Sequence, residues 1–153
     1  MEQTKSVQFD VREISEADLK KSFFETLGNL AEIGMIKNDQ ETAKKILQQL
    51  MSSPFYKIFV AAKPDGEIIG SNTLLIEQKF IHNGGKVGHI EDVVTKSGYE
   101  GMGVGRALVA KALAFAAEMK CYKVILDCSE ENVQFYRKMG FKEHGLSMRR
   151  DLS

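Results

Sequence analysis

The sequence contains no tryptophan, only two prolines and only two cysteines, and its basic and acidic residues balance at 21 each. The scarcity of proline excludes Pro-rich linkers, and the balanced charge disfavours a general nucleic-acid-binding protein, which is usually strongly basic. No apolar run reaches the roughly 18 residues of a membrane span, and residues 1–10 lack the apolar segment of a secretory signal. With 43% hydrophobic residues over 153 positions, a single domain spanning residues 1–153 is expected.

The two cysteines, Cys121 and Cys128, flank an apolar run that is typical of a strand. Seven residues of strand span roughly 23 Å, whereas the Cα atoms of a disulfide lie within about 7 Å. An intrachain disulfide is therefore not expected, and a reducing cytoplasm fits best. The cysteines and three histidines form no tight ligand pair, so no metal site is expected.

Apolar periodicity predicts a mixed α/β fold. Residues 7–12 are predicted as a strand, and Ser15 as the N-cap of a helix whose apolar stripe is Leu19, Phe23, Leu27 and Leu30. The following elements are predicted as a helix at 39–51, strands at 57–62, 67–77 and 87–95, a helix at 104–119, a strand at 122–127, a helix at 131–139 and a final strand at 141–150. The turn Pro64-Asp65-Gly66 predicts an antiparallel hairpin, and the helix at 104–119 predicts a right-handed parallel crossover.

A glycine-rich turn begins this crossover helix, with Gly101, Gly103 and Gly105 at alternate positions. Such a turn lets backbone amides converge at a helix N-terminus, where a pyrophosphate can bind. The P-loop pattern fails, because Gly105 is followed by Arg106-Ala107. The Gly-x-Gly-x-x-Gly dinucleotide pattern fails because its last glycine would fall at Arg106 or Leu108. From the glycines alone, an anion site and a turn without a ligand both remain open.

The glycine turn and a later segment together resemble the GCN5-related N-acetyltransferase (GNAT) superfamily. Gly103 and Gly105 fit its Gln/Arg-x-x-Gly-x-Gly pattern, although Glu100 stands at the Gln/Arg position, and residues 132–141 resemble the segment that ends its domains. Residues 79–82, 88–94 and 121–128 resemble the glucosamine 6-phosphate N-acetyltransferase family in particular. The resemblance implies an acyl-CoA N-acetyltransferase fold, with a mostly antiparallel sheet flanked by helices and one central parallel crossover.

The same resemblance implies an activity. The acetyl group of acetyl-CoA would move to the 2-amino group of glucosamine 6-phosphate by direct attack in a ternary complex, for UDP-N-acetylglucosamine synthesis. No metal would be required, and the protein would be a homodimer with shared active sites. An acetyltransferase acting on a protein amine or a polyamine is the alternative enzyme. A non-catalytic acyl-CoA-binding module is the alternative of another class, against which a tyrosine retained beside carboxylates argues.

The resemblance also implies site residues. Tyr136 would protonate the leaving thiolate, while Glu91 and Asp127 would contact the amine, one as base and one as orienting group, without a basis for telling them apart. Acetyl-CoA is expected at Asp92, Val93, Val94, Glu100, Gly101, Met102, Gly103, Val104, Gly105, Asn132, Phe135, Tyr136 and Arg137. The sugar phosphate is expected at Gln78, Lys79, Phe80, Ile81, Ile90, Glu91, Asp92, Cys121, Tyr122, Asp127 and Arg150, with His82 and Arg149 as further candidate cations.

Each of these residues also has a simpler interpretation: a core tyrosine, solvated acids at strand ends, and surface lysines and arginines. Glu100 is the clearest departure from the family pattern, because an acid beside a pyrophosphate is unfavourable. On this reasoning, Glu100→Arg is expected to tighten acetyl-CoA binding.

Overall fold

A five-stranded sheet in the order β1-β2-β3-β4-β5 forms the centre of the computed structural model, which describes residues 5–153. Its strands are β1 (Asp10–Glu13), β2 (Tyr56–Ala62), β3 (Ile68–Gln78), β4 (Lys86–Thr95) and β5 (Cys121–Ile125). The first four strands pair with one another in antiparallel fashion, and β5 runs parallel to β4. The start of the N-terminal stretch, where no secretory signal is expected, lies outside the described residues.

The helices are α1 (Phe23–Leu27), α2 (Gln40–Met51), α3 (Ile81–Gly84), α4 (Val104–Glu118) and α5 (Val133–Lys138), with 3₁₀ segments at Glu16–Lys20, Gly34–Asn38 and Glu130–Asn132. The hairpin predicted at Pro64-Asp65-Gly66 is confirmed by pairing of β2 with β3, and the parallel crossover is confirmed by β4, α4 and β5. Among the described residues, no helix is long and apolar enough to cross a membrane.

Helices cover both faces of the sheet. The long helix α4 packs so closely on one face that a Cβ on Gly70 would lie 2.5 Å from the Val104 side chain. Leu108, Ala112 and Ala116 continue this contact as buried residues of the larger core. On the opposite face, α1 and α2 form a second core, in which Phe23 and Leu47 are buried. The C-terminal half of β4 therefore lies beside a helix N-terminus.

Three parts of the predicted secondary structure are wrong. The first strand begins at Asp10 instead of residue 7, and the helix predicted from the stripe at 19–30 is interrupted at Ser22, whose φ is 67°. Residues 141–150 form no strand, because within residues 5–153 no strand pairs with them, and residues 142–153 are exposed. The apolar pattern of this last segment therefore does not reflect burial in the described chain.

Local signals at helix ends are better predictors. The backbone N–H of Ser15 donates to the Asp18 carboxylate at 2.7 Å, and Arg12 pairs with the same carboxylate at 2.6 Å, so the predicted helix start is correct although the segment is 3₁₀. At the end of α5, Gly140 has φ 92° and its N–H donates to the Arg137 carbonyl at 3.0 Å, as predicted for a helix-terminating glycine.

Candidate active site

The glycine turn presents free backbone amides at the N-terminus of α4. Gly101 and Gly103 have φ of 75° and 83°, a conformation that glycine adopts without strain. A Cβ at either position would meet nothing within 4 Å, so the turn faces open space. The amides of residues 101–106 donate to no acceptor in the range 5–153. This cradle fits a pyrophosphate group, because it combines unpaired N–H groups with the positive end of a 15-residue helix.

Glu100 does not direct its carboxylate at these amides. One oxygen accepts a hydrogen bond from the Gly98 N–H at 2.7 Å, and the other lies 3.3 Å from Nδ2 of Asn29. The Asn29 amide also donates to the Thr95 carbonyl at 2.7 Å. Hydrogen bonds from the backbone N–H groups of Glu100 itself and of Gly98, and then from Asn29, lower the pKa of Glu100. Its role toward acetyl-CoA stays a prediction, but its side chain holds the turn to the segment after α1.

Strands β4 and β5 separate next to the turn. Pairing of β4 with β5 ends at His89 and Ile125, whereas β4 continues to Thr95. On its other side, β4 has a bulge: Asp92 and Val93 lie opposite Asn72 of β3, and Asp92 has φ 51°. This separation leaves one backbone edge of Val93 and Val94 available to an extended ligand, as the resemblance implies. Val94 and Val104 have buried side chains, so only their backbones can contribute.

Three carboxylates gather where β4 and β5 separate, as predicted from the parallel strand ends. Burial and then the negative charges of Asp92 and Asp127 raise the pKa of Glu91, and His89 opposes the shift. Ile90, predicted to contact the sugar, is 2% exposed and belongs to the larger core, so its predicted contact could come only from its backbone. Tyr56 of β2 adjoins the group: burial and then Asp92 raise its pKa, while a hydrogen bond with Thr73 opposes this. Among residues 5–153, no cluster of acids, histidines and cysteines has the arrangement of a metal site.

Tyr136 is held in an aromatic cluster on α5. Its ring packs edge-on against Phe135 and Phe141, with centroid distances of 4.9 and 5.7 Å, and only 8% of the residue is exposed. Burial and then the nearby Cys128 raise the pKa of Tyr136. In the described part of the chain, its hydroxyl makes no hydrogen bond. Phe135 reaches the glycine turn, since a Cβ on Gly105 would lie 3.6 Å from its ring.

The other two residues in and just before α5 that are predicted to contact acetyl-CoA already have partners. Asn132 Nδ2 donates to the Ser129 hydroxyl at 3.2 Å, and Arg137 pairs with Glu143 at 3.0 Å. These side chains are exposed and their bonds are easily exchanged, so their predicted roles stay open. Met102 is half-buried in the turn.

The other residues predicted for the sugar phosphate, apart from Arg150, lie around the β3–β4 turn and the start of β5. Gln78 Nε2 donates to the Gly84 carbonyl at 2.8 Å, which closes the turn, and Lys79 pairs with Glu77 at 3.0 Å. Phe80 is fully exposed and Ile81 largely so. The His82 ring stacks on Tyr122 of β5 at 4.2 Å, while Cys121 lies beside it opposite Lys86. Arg149 pairs with Asp151, and Arg150 has no partner in residues 5–153.

Several residues at the site carry no sequence signal. Asn29 is distant in sequence from Glu100, Tyr56 lies on a different strand from the carboxylates, and Glu77 bonds both Lys79 and His89, with 2.9 Å to the His89 ring. Each acquires its partner only through the strand register and helix placement. A family motif records only neighbouring positions in the sequence, so it does not reveal contacts between distant elements.

The fold and this site are those of an N-acetyltransferase. The family model described as "Acetyltransferase (GNAT) family" matches residues 19–141, which is most of the chain. The chain belongs to the acetyltransferase (GNAT) family, and the fold predicted from the resemblance is confirmed.

Within that family, its relatives include proteins named glucosamine 6-phosphate N-acetyltransferase. The one from Trypanosoma brucei brucei is 40% identical over 149 residues, covering 97% of this chain and 99% of the relative. The one from Candida albicans is 37% identical over 141 residues, covering 92% and 93%. A crystal structure of glucosamine-6-phosphate N-acetyltransferase from Arabidopsis thaliana matches with a TM-score of 0.90 at 34% identity, covering 95% of this chain and 99% of that one. The resemblance found in the sequence is therefore confirmed.

Proposed function

We propose that the chain transfers the acetyl group of acetyl-CoA to the 2-amino group of glucosamine 6-phosphate, giving N-acetylglucosamine 6-phosphate and CoA. The observation that carries the proposal is the separation of β4 from β5, with the free amides of residues 101–106 at one end and Glu91, Asp92 and Asp127 at the other. The names of the three relatives support the choice of sugar. The product would serve UDP-N-acetylglucosamine synthesis.

The donor end of the site would be built from backbone groups. When bound, acetyl-CoA supplies an activated acetyl thioester. The amides of residues 101–106 would hold its pyrophosphate, and the free edge of Val93 and Val94 would pair with its pantetheine arm. Phe135 would pack beside the turn. Because the Glu100 carboxylate is engaged with Gly98 and Asn29, it stays out of the cradle, and the amides and the α4 dipole would carry the binding.

The carboxylates would prepare the amine. Most of the amine is protonated at neutral pH, so attack on the acetyl carbon requires that the amine lose a proton. Burial and the charges of Asp92 and Asp127 raise the pKa of Glu91, which strengthens Glu91 as a base, and we assign it that role. Asp127 would orient the ammonium and, through its charge, maintain the raised pKa of Glu91.

Tyr136 would supply the proton that the leaving thiolate needs. As the bond from nitrogen to the acetyl carbon forms and the carbon–sulfur bond breaks, its hydroxyl donates a hydrogen bond and then its proton to the leaving sulfur. The raised pKa of Tyr136 keeps the phenol protonated at neutral pH. Exclusion of water raises the pKa of the CoA thiol too, which offsets the weaker acidity of the buried phenol.

The acceptor end would be completed by a second copy of the chain. β5 is an edge strand, and Leu146, Met148 and Leu152 are more than 90% exposed in the extended C-terminal segment. Burial of these side chains on a partner would bring Arg150 close to a shared sugar site and would cover an unprotected edge. The full chain should sediment as a dimer, and Leu146→Glu with Met148→Glu should sediment as a monomer. A monomeric wild type at micromolar concentration contradicts this assembly.

The remaining parts of the proposal concern organisation and compartment. Residues 1–153 would form one acetyltransferase domain, since the five strands share one sheet and the family model extends over both cores. Cys121 and Cys128 are free thiols, which fits a reducing cytoplasm.

Release of free thiol tests the activity. Protein and acetyl-CoA are mixed with glucosamine 6-phosphate, with a lysine-containing peptide or with a polyamine, and the acetylated product is identified by mass. We expect turnover with the sugar phosphate only. Turnover with the peptide or polyamine instead identifies the alternative acetyltransferase, and tight CoA binding without turnover on any amine identifies a non-catalytic module.

A further inference from the structure

One carboxylate outside the site connects two lysines at the base of the glycine turn. Glu67 lies between the Pro64-Asp65-Gly66 turn and β3. Its Oε2 accepts from Lys63 Nζ at 2.8 Å, and its Oε1 accepts from Lys96 Nζ at 2.7 Å. All three side chains are only 22–26% exposed. Glu67 is therefore the centre of a partly buried ion-pair network.

Both lysines extend this network to the glycine turn. Lys96 is the first residue after β4, and its backbone N–H donates to the Ile69 carbonyl at 2.8 Å. Lys63 Nζ lies 3.3 Å from the Tyr99 hydroxyl and 5.6 Å from the centroid of the same ring. The Tyr99 N–H in turn donates to the Lys96 carbonyl at 3.0 Å. Glu67 thus contacts Lys96 directly and reaches Tyr99 through Lys63. Its two bonds are shorter than the second ion pairs of these lysines, at 3.4 Å from Lys96 to Glu25 and 3.7 Å from Lys63 to Asp65.

The glycine turn needs this support because its own glycines do little to fix its conformation. No neighbour lies within 4 Å of the position a Cβ would take on Gly98, Gly101 or Gly103, and glycines lose the most conformational freedom when they are ordered. A ligand that must order the turn loses affinity, whereas a turn held in place beforehand avoids that loss. Hydrogen bonds from Lys63 and Lys96 lower the pKa of Glu67, so its charge is present at neutral pH.

We propose that Glu67 is a positioning residue for the donor: through Lys63 and Lys96 it holds the glycine turn in the conformation that binds the pyrophosphate of acetyl-CoA. This inference rests on the proposed function only in taking acetyl-CoA as the ligand of the turn. Glu67 touches neither ligand. Its effect is on the affinity of the turn for the donor, with none on the amine or on the proton transfers.

The test is Glu67→Gln, which keeps the shape of the side chain and removes its charge. Calorimetric titration with acetyl-CoA and steady-state kinetics with glucosamine 6-phosphate are measured on the full chain. We expect the Kd and KM for acetyl-CoA to rise about 10-fold, as for loss of ~1.4 kcal/mol. The kcat and the KM for the sugar phosphate should stay unchanged. Such a split between constants is not produced by general destabilisation of the sheet.

Glu13→Gln is the matched control, because Glu13 pairs with Lys57 at 3.1 Å near the opposite end of β2 from Lys63. It should leave acetyl-CoA affinity unchanged. Tyr99→Phe removes only the hydroxyl that Lys63 contacts, and it should raise the Kd about 3-fold even if Glu67→Gln fails to fold. Affinity that is unchanged in Tyr99→Phe, or in a folded Glu67→Gln, overturns the inference. So does an equal loss in Glu13→Gln. A wild type that binds no acetyl-CoA overturns the proposed function instead.

Discussion

The two ends of the candidate site are built in different ways. The donor end consists of backbone amides at the start of α4, which already point into open space and are held from behind by Glu100 and Glu67. The acceptor end consists of side chains: carboxylates that repel one another, a Lys79 already paired with Glu77, and a fully exposed Phe80. The donor end is preformed within one chain, whereas the acceptor end gains its order from the substrate and, in our proposal, from a second subunit.

The largest expected effect is on chemistry alone. Tyr136→Phe keeps the aromatic packing with Phe135 and Phe141 and removes the proton donor, so kcat should fall by about 10²-fold or more. The Kd for acetyl-CoA should not change, which titration measures on the same variant. A kcat within a factor of about two of wild type would remove Tyr136 from the mechanism.

The carboxylates distinguish base from orienting group at the acceptor end. Glu91→Gln should lower kcat by about 10²-fold at neutral pH. Asp127→Asn should lower kcat less than Glu91→Gln does, and its effect should depend on pH. Without the Asp127 charge the pKa of Glu91 falls, so activity persists to lower pH. Since a base works only when it is deprotonated, the acidic limb of the pH–kcat profile should move to lower pH. If the limb moves to higher pH, or if Asp127→Asn lowers kcat more than Glu91→Gln does, the roles of base and orienting group are reversed.

Two glycines of the donor end provide a matched pair. Gly103→Ala places a Cβ at a φ of 83°, which costs roughly 1–2 kcal/mol, so acetyl-CoA should bind about 10-fold more weakly. Gly105→Ala adds the same methyl group at an ordinary helical position, where the nearest atom is 3.6 Å away, and should change little. Equal effects in the two titrations would mean that backbone conformation does not control donor binding.

The smallest effect concerns Glu100, where sequence and structure predict opposite signs. The family pattern alone predicts that Glu100→Arg tightens acetyl-CoA binding. In the structure the carboxylate holds Gly98 and Asn29, and loss of hydrogen bonds worth about 0.5–1.5 kcal/mol each should weaken binding several-fold. The affinity of Glu100→Gln for acetyl-CoA should lie between those of Glu100→Arg and the wild type, since the Gln side chain keeps one acceptor oxygen. Tighter binding of Glu100→Arg in a titration would favour the family pattern.

Most of the fold follows from local signals. The Pro64-Asp65-Gly66 turn, the stripe of α4 and the glycine after α5 each carry their own periodicity or turn chemistry. The failures occur where structure depends on distant partners. Residues 141–150 have apolar side chains but no strand to pair with in the described chain, and the left-handed Ser22 divides a continuous apolar stripe.

The candidate site shows the same difference between residues in local motifs and residues that depend on distant partners. Tyr136, the carboxylates and the glycine turn belong to contiguous motifs, so the residues and their resemblance predict them. Asn29, Tyr56 and Glu67 approach the site from separate elements, and nothing in their neighbouring sequence distinguishes them from ordinary polar residues. Only the register of β2, β3 and β4 brings them into place.

Gly140 shows how a residue without a functional group can position the proposed proton donor, Tyr136. Its left-handed backbone reverses the chain after α5, so that the Phe141 N–H bonds the Tyr136 carbonyl at 3.1 Å and the Phe141 ring returns against the Tyr136 ring. The direction of the phenol is thus fixed by a chain reversal four residues downstream. A side chain at position 140 would strain this reversal and so displace the ring of Tyr136, the proposed proton donor, although every functional group of the proposed site would still be present.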